Sequence, residues 1–431
     1  MKADNFYDIQ DAVAFNIPVN ENNPFYTDFL PFRTDFHDEK IFKHLAIDYT
    51  AKEKKCNPLK TSKKIFLSGY RGTGKTSELL KLTDKIGKTK CYFSIFVDIS
   101  EEELDTSNIE TVDILILMLE KLIKKLEENG ADVSSESISD FYEWYKTKII
   151  EEINKSVKGS AQIEIGVDTG SMLSKLAGVI VSTKAKLHGS QENKKTIRRE
   201  INNNFQMFGR KFNEFIASLV SQFRDKGHYQ DILFIVDGFE KIGSLEDRKK
   251  ILIDDANKFE IIKTNMIITL PIELFSEKNR LNHFATTENF PLIDLSKSGA
   301  KERFREFILK RVDEKLFEDG SIKMIIEFGA GHPRQTLQII NRAYVEAEDK
   351  VIDIKSVKKA IAILGAEMSK VTSQEIEILK KVENREVISQ SDVYTSLKSK
   401  NIIFEYNSSS ESNIINPIVK ADGDFQKHLK Q

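Results

Sequence analysis

Short apolar runs alternate with longer segments of helical periodicity over residues 63–296. The first run, IFLSG, is followed by the turn YRGTG and by KTSELLKLTDKIG, and the next run is YFSIFVDIS. Three later runs, DILFIVDGFEKI, TNMIITLPIEL and ENFPLIDL, are also strand-like. Because strands that alternate with helices usually build a parallel sheet, the pattern predicts an α/β domain.

Helical patterns predominate after residue 296. Four segments, KERFREFILKRVDEKLF, IKMIIEFGAG, PRQTLQIINRAYVEAE and IKSVKKAIAIL, predict a small helical unit over 297–366. Two helices followed by IIFEYN, a serine-rich turn and NIINPIV predict a winged helix over 367–431. Residues 1–62 show few regular periods, and we expect an N-terminal leader wrapped onto the following domain.

Residues 130–193 interrupt the alternation of strands and helices. FYEWYKTKIIEEINKSV predicts a helix, whereas SAQIEIGVDTGSMLSKLAGVIVSTKAKLHG alternates and carries four glycines. We therefore expect a hairpin-rich insertion in the α/β domain. A single long helix over about 194–226 should follow it.

Composition and charge mainly exclude classes of protein and of binding site. The 431-residue chain has a formal net charge of -2, which gives no global attraction to nucleic acid or to an anionic membrane. No apolar run reaches the roughly 18 residues of a membrane-spanning helix, and the start lacks the apolar stretch of a signal peptide. Cys56 and Cys91 have no metal-ligand spacing, which argues against a disulfide scaffold and a zinc site and favours the reducing cytoplasm.

The segment GYRGTGKT fits the phosphate-loop pattern GxxxxGK[ST] without a mismatch. Glycines let backbone N–H groups converge on a β-phosphate, the lysine neutralises β- and γ-phosphate oxygens, and the threonine hydroxyl ligates Mg²⁺. A plain flexible turn would not require Lys-Thr at the helix start. The predicted nucleotide-binding residues are Gly69, Tyr70, Arg71, Gly72, Thr73, Gly74, Lys75, Thr76 and Ser77.

A phosphate loop needs an acidic residue at the end of a neighbouring strand to hold Mg²⁺. Asp98 and Asp237 both follow apolar runs, and we favour Asp237 as the metal ligand beside Thr76. The position after Asp237 is Gly238, so Glu240 is the nearest acid that could activate water. The alternative for Glu240 is a plain surface acid at a helix start. This arrangement predicts slow hydrolysis.

These residues resemble the AAA+ superfamily and its STAND relatives, the signal-transducing ATPases, over about 63–431, with GYRGTGKT and LFIVDGFE as the strongest matches. The resemblance implies an α/β fold: a parallel-sheet P-loop NTPase domain (63–296), a helical lid and a C-terminal winged helix. It also implies ATP and Mg²⁺ as cofactors. Origin-recognition initiators share this domain order.

The resemblance assigns three further roles. Thr269 takes the place of a γ-phosphate sensor, Arg334 that of a second sensor on the lid, and Arg280 that of an arginine finger aimed at a neighbouring subunit. The plain alternatives are a strand-end threonine, a residue of a capped helix start and a solvated arginine. If all three roles hold, Lys75, Glu240, Thr269, Arg280 and Arg334 form the catalytic set.

The winged helix carries eight Lys/Arg against nine Asp/Glu over 371–431, so its charge does not support DNA as a partner. A basic stretch in the insertion, KLHGSQENKKTIRRE, could touch a polyanion, although a solvated helix face is the default. We expect a slow ATPase switch that controls its own oligomerisation or a protein effector, with antiphage defence implied only by the resemblance. The alternatives are a DNA-directed initiator or loader and a scaffold that keeps its nucleotide.

Overall fold

The computed structural model describes residues 1–49, 55–57, 59–100, 106–130, 135–156, 171–389, 391–407 and 413–430. In it, the leader packs against both the sheet domain and the lid. It contains helices α1 (Ile9–Ala12) and α2 (Asp38–His44) and an antiparallel pair, β1 (Ile47–Asp48) with β2 (Lys55–Cys56). Ala3 forms a β-bridge with Val312, and Arg33 forms one with Ile293. The leader is therefore attached near its start and at its middle.

The next part of the chain forms a parallel sheet flanked by helices. Its elements are β3 (Lys64–Gly69), α3 (Lys75–Lys88), β4 (Tyr92–Asp98), α4 (Thr111–Glu128), α5 (Ser135–Tyr145), α6 (Glu151–Ser156), α7 (Met172–Leu187), α8 (Gln191–Asn203), α9 (Phe205–Asp225), β5 (Asp231–Asp237), α10 (Leu245–Lys249), α11 (Ala256–Ile261), β6 (Asn265–Pro271) and β7 (Thr286–Asn289). The strand order is β4-β5-β6-β3-β7, and every pairing is parallel. The predicted parallel sheet is confirmed.

Burial on both faces explains why these strands are apolar runs rather than alternating ones. All residues of β3 and β6 are buried, and two separate apolar clusters cover the two faces. In a parallel sheet all strands end at the same edge. The turn after β3 and the last residues of β5 and β6 therefore lie side by side, with Asp98 paired to Asp237 and Leu67 to Thr269.

Two expectations for the insertion are wrong. Residues 172–187 form the helix α7 rather than hairpins, because Leu173, Leu176, Val179 and Ile180 bury one helical face while Gly178 lies on the exposed face. The expected long helix is two helices, α8 and α9, which meet at Asn204. The strand-like part over 157–170 lies outside the described residues.

Helices build the remaining two units. The lid contains α12 (Ala300–Leu309), α13 (Ser321–Gly329), α14 (Pro333–Glu346) and α15 (Ile354–Met368). The winged helix contains α16 (Ser373–Glu383), α17 (Asp392–Ser399), the antiparallel pair β8 (Ile403–Phe404) and β9 (Ile414–Ile415), α18 (Pro417–Lys420) and α19 (Gly423–Lys430). The predicted helical lid and winged helix are confirmed. Within the described residues, no helix combines the length and the apolarity needed to cross a membrane.

A disulfide joins Cys56 of β2 to Cys91, directly before β4. The expectation against a disulfide is wrong, because the fold rather than the spacing of 35 residues brings the two sulfur atoms together. The bond ties the leader to the start of an edge strand. The cytoplasmic location remains a prediction.

Opening this disulfide should destabilise the protein. Cross-linking restricts the unfolded chain, and a loop of this length stabilises the native state by about 2–4 kcal/mol. We expect Cys56→Ser to lower the free energy of unfolding by that amount in urea titrations under non-reducing conditions. A reducing agent should lower the wild-type value to the same level and leave the variant unchanged. Two free thiols in the native wild-type protein, measured by alkylation and mass spectrometry, would contradict the bond.

Candidate nucleotide site

The turn between β3 and α3 needs its glycines for geometric reasons. Gly72 and Gly74 have φ of 88° and 93°, in the left-handed region that side chains disfavour. A Cβ at Gly69 would lie 2.4 Å from the Phe290 carbonyl oxygen, and one at Gly72 would lie 2.7 Å from Cβ of Arg334. The backbone thus approaches its neighbours as closely as a phosphate cradle requires.

Lys75 and Thr76 occupy the first turn of α3. The buried Lys75 ammonium donates to the carbonyl oxygens of Gly69 and Tyr70, both at 2.8 Å. Burial lowers the pKa of Lys75, while the carboxylates of Glu240 and Asp237 oppose that shift. The site therefore holds a lysine charge directly at the loop, at the positive end of a helix dipole.

Asp237 meets the requirements of the predicted magnesium ligand. The Thr76 hydroxyl donates to its Oδ2 at 2.6 Å, and its Oδ1 is buried without a partner. Burial raises the pKa of Asp237 to about 6, and the neighbouring Glu240 adds to that rise. Oxygen ligands of this kind suit Mg²⁺, so the residues present fit the ion. Asp98, the last residue of the edge strand β4, instead accepts from the backbone N–H and the hydroxyl of Ser100.

Gly238 follows Asp237 in a backbone conformation that disfavours any side chain, and hence an acid, at this position. Its φ is 100°, and an added Cβ would lie 2.8 Å from Oδ1 of Asp98. Glu240, two residues further, lines the same cavity as Lys75, and its Oε2 is buried without a partner. The structure thus places a carboxylate at the cavity from the turn after β5 rather than from the position next to Asp237.

The lid contributes the opposite wall of the cavity. The Arg334 backbone N–H donates to the Gly72 carbonyl at 3.3 Å, and its side chain lines the cavity with Nε buried and unpartnered. Burial lowers the pKa of Arg334, the neighbouring Arg71 lowers it further, and Glu240 opposes both. A half-buried guanidinium beside the loop can serve an anionic ligand.

His332 connects the lid to the loop. Its Nε2 donates to the Arg71 carbonyl at 2.9 Å, and its Nδ1 accepts from the Gln335 N–H at 3.1 Å, which caps α14. Burial and the nearby Arg334 lower the pKa of His332 to about 3. The ring is therefore neutral and shapes the lid turn.

The remaining two predicted residues lie further away. Thr269 is fully buried with an unpartnered hydroxyl, one step beyond the Val236–Ile268 pair at the sheet edge, and it does not line the cavity. Arg280 is 48% exposed and pairs with Asp254 at 2.8 Å and Glu277 at 3.6 Å. The structure brings Lys75, Thr76, Asp237, Glu240 and Arg334 together; the sensor and finger roles of Thr269 and Arg280 stay predictions.

Sequence reasoning assigned no residue of the leader, yet the leader forms a wall of the cavity. Arg33 is buried over the Phe290 ring, and it donates to the carbonyls of Thr73, at 2.6 Å, and Pro291. Burial lowers the pKa of Arg33 to about 10. Its one sequence signal is an arginine between aromatic residues in PFRTDF.

The winged helix also reaches the loop. The Tyr70 ring is buried against Phe404, with centroids 5.8 Å apart, and its hydroxyl accepts from the Glu405 N–H at 3.1 Å. His332 stacks on the same Phe404 ring, and the Tyr406 hydroxyl donates to the Ala330 carbonyl at 2.6 Å. The phosphate loop, the lid and the winged helix therefore meet at the Phe404 ring.

Comparisons with known proteins add little to this geometry. No protein-family model matches the chain, and no curated protein matches it. Among solved structures, the chain is similar to the ORC1 protein of Aeropyrum pernix in complex with DNA, with 10% sequence identity and a TM-score of 0.35. The match covers 94% of this chain and 95% of that one.

His332 should make stability depend on pH. Its pKa is about 3 in the folded protein and about 6.5 when unfolded, so between these values the unfolded chain binds more protons and stability falls as pH falls. From pH 7 to pH 5, His332 should cost about 2 kcal/mol of unfolding free energy. His332→Asn, which can still cap α14, should lose that much less in urea titrations. The exposed His283→Asn should behave like wild type, and equal losses in all three proteins would contradict the assignment.

Proposed function

We propose that this chain is a slow, magnesium-dependent ATPase of AAA+ type whose nucleotide state sets the position of its lid and winged helix. The observation that carries the proposal is that Lys75, Glu240 and Arg334 converge on one phosphate loop. We further propose that the output is self-association or control of a protein effector. Antiphage defence rests on the resemblance to signalling ATPases alone.

The chemistry follows from the positions of the side chains. Lys75 would exchange the carbonyls of Gly69 and Tyr70 for phosphate oxygens. Thr76 and Asp237 would hold Mg²⁺, which neutralises triphosphate charge when bound. Glu240 would orient the attacking water and accept its proton. Because Glu240 belongs to the turn Phe239–Lys241 rather than to the strand end, we expect slow turnover.

The same contacts couple the site to the rest of the chain. The Tyr70 carbonyl accepts a hydrogen bond from Lys75, and the Tyr70 side chain contacts the winged helix. The carbonyls of the next two residues, Arg71 and Gly72, accept hydrogen bonds from the lid. A triphosphate that draws both Lys75 and Arg334 toward its phosphates would bind a closed arrangement of the sheet domain and the lid more tightly than an open one. That difference in affinity is what shifts their equilibrium.

A DNA-directed initiator or loader is the second candidate, and the winged-helix fold favours it. The two lysines near the end of α17 are, however, engaged within the chain: Lys398 is 2% exposed and 3.5 Å from Glu405, and Lys400 is 2.6 Å from Glu375. Helix α17 also packs against Ile272–Arg280. In the insertion, Arg198 is buried against Asp113. DNA contact would therefore require α17 to leave the sheet domain.

Two substitutions separate binding from hydrolysis. Lys75→Ala should abolish detectable binding of Mg-ATP in calorimetry, because the loop loses its cation. Glu240→Gln should bind ATP normally but hydrolyse it about 10²–10³-fold more slowly in phosphate-release assays. Glu246→Gln, an exposed acid in the next helix, is the matched control and should match wild type. Normal turnover by Glu240→Gln would remove Glu240 from the mechanism, and normal binding by Lys75→Ala would refute the nucleotide site.

The output is tested on the same proteins. Mass photometry of wild type and Lys75→Ala with ATP, with ADP and without nucleotide should show an ATP-dependent assembly in wild type only. Identical sizes in every condition would refute self-association as the output. Salt-dependent DNA binding that requires ATP would favour the initiator reading instead.

Tyr70→Phe tests the contact between the loop and the winged helix. It removes one hydrogen-bond acceptor and keeps the ring against Phe404. We expect a loss of about 1 kcal/mol in that contact, and hence roughly fivefold faster hydrogen exchange in peptides that contain Glu405. Tyr344→Phe in the lid is the control and should leave that exchange unchanged. Wild-type exchange in Tyr70→Phe would show that the contact does not hold the winged helix in solution.

A further inference from the structure

A buried carboxylate lies in the cavity one helical turn beyond the phosphate loop. Glu78 follows Lys75 by three residues on α3, so the two side chains share a helix face. Glu78 is 8% exposed and lines the cavity together with Lys75, Thr76 and Ser77. Neither phosphate binding nor hydrolysis needs a negative charge at this place.

The partners of Glu78 leave acceptor capacity unused. The Tyr26 hydroxyl donates to Oε1 at 2.9 Å, and Lys81 lies 3.5 Å from Oε2. A carboxylate can accept about four hydrogen bonds, so two known partners leave room for a donor from a ligand. Burial raises the pKa of Glu78, whereas Lys81 and Arg33 oppose that rise. A buried carboxylate gains from each further donor.

The position of Glu78 along α3 indicates which donor of a nucleotide could reach its carboxylate. A helix rises 1.5 Å per residue, so Glu78 sits about 4.5 Å beyond Lys75, away from the phosphate end of the cavity. In a nucleotide the sugar follows the phosphates, and its 2′- and 3′-hydroxyls are hydrogen-bond donors. Tyr26 and Thr27 of the leader line the cavity with Glu78. A nucleotide whose phosphates lie on the loop and whose sugar extends along α3 would bring a ribose hydroxyl to this carboxylate.

We propose that Glu78, oriented by Tyr26, accepts a hydrogen bond from a ribose hydroxyl and thereby selects ribonucleotides over deoxyribonucleotides. This assignment rests on the proposed nucleotide binding. It makes Glu78 a specificity-determining residue and the leader a part of substrate selection.

A purely structural role is the competing explanation, because the same side chains also join the leader to α3. Lys81 pairs with Asp28 of the leader at 3.2 Å, and Asp28 does not line the cavity. Asp28→Asn therefore disturbs the leader–helix network from outside the cavity. It is the matched control for substitutions of Glu78.

The test is a comparison of dissociation constants for Mg-ATP, 2′-deoxy-ATP and 3′-deoxy-ATP with the full chain. Wild type should bind ATP about tenfold more tightly than at least one deoxy analogue, the ratio that a single hydrogen bond to a charged group gives. Glu78→Ala should lose this preference by weakening ATP binding alone. Tyr26→Phe should reduce the preference, and Asp28→Asn should keep it.

Each failure has a separate meaning. Equal affinity of wild type for ATP and both deoxy analogues would overturn the assignment, as would an unchanged preference in Glu78→Ala. Absence of binding of all three nucleotides to wild type would instead refute the proposed function. If circular dichroism shows that Glu78→Ala does not fold, Glu78→Gln keeps the shape of the side chain, and an undiminished preference in that variant would also overturn the assignment.

Discussion

The carbonyl groups of the phosphate loop need hydrogen-bond donors, and the rest of the structure is arranged around that need. A loop that turns its N–H groups toward a phosphate turns carbonyls toward the protein, where unpaired acceptors are costly. Here Lys75 binds the carbonyls of Gly69 and Tyr70, and His332 and the Arg334 N–H bind those of Arg71 and Gly72. Arg33 binds the carbonyl of Thr73. Helix, lid and leader thus meet at five consecutive peptide groups.

The charged side chains at the cavity also come from different parts of the fold. The donors Lys75 and Arg33 are buried cations, and burial lowers the pKa of each, so both cost solvation energy that hydrogen bonds and nearby carboxylates must offset. Asp237 and Glu240 stand on the sheet side of the cavity and Glu78 on the helix side. A triphosphate with its metal can satisfy both signs at once, which is why a site of this composition suits Mg-ATP better than a simple anion.

Local sequence predicted the parts of the site that local geometry determines. The glycine spacing before Lys75, the apolar run that ends at Asp237 and the run that contains Thr269 are short-range patterns, and the parallel sheet brings them together. Hairpins were predicted over α7 because glycines and alternation outweighed a helical face that only burial reveals. The spacing of glycines and apolar residues therefore predicts local conformation, but it does not show which helical face is buried.

Long-range contacts were not predictable in the same way. Arg33 reaches a loop 40 residues away and a carbonyl 258 residues away, and Tyr70 meets Glu405 across 335 residues. The disulfide and the contact of the winged helix belong to the same class. Such pairs follow from the topology of the whole chain, since nothing in either partner's neighbourhood specifies the other.

Gly238 affects which residue supplies a carboxylate to the cavity. Its left-handed backbone and the proximity of Asp98 disfavour a side chain there, and the carboxylate in the cavity comes from the following turn. That turn is held from outside, because Lys241 donates to the Ser100 hydroxyl and lies 3.8 Å from Asp98. The position of Glu240 therefore depends on contacts with residues 98–100, at the end of the edge strand β4 and just after it, as well as on β5.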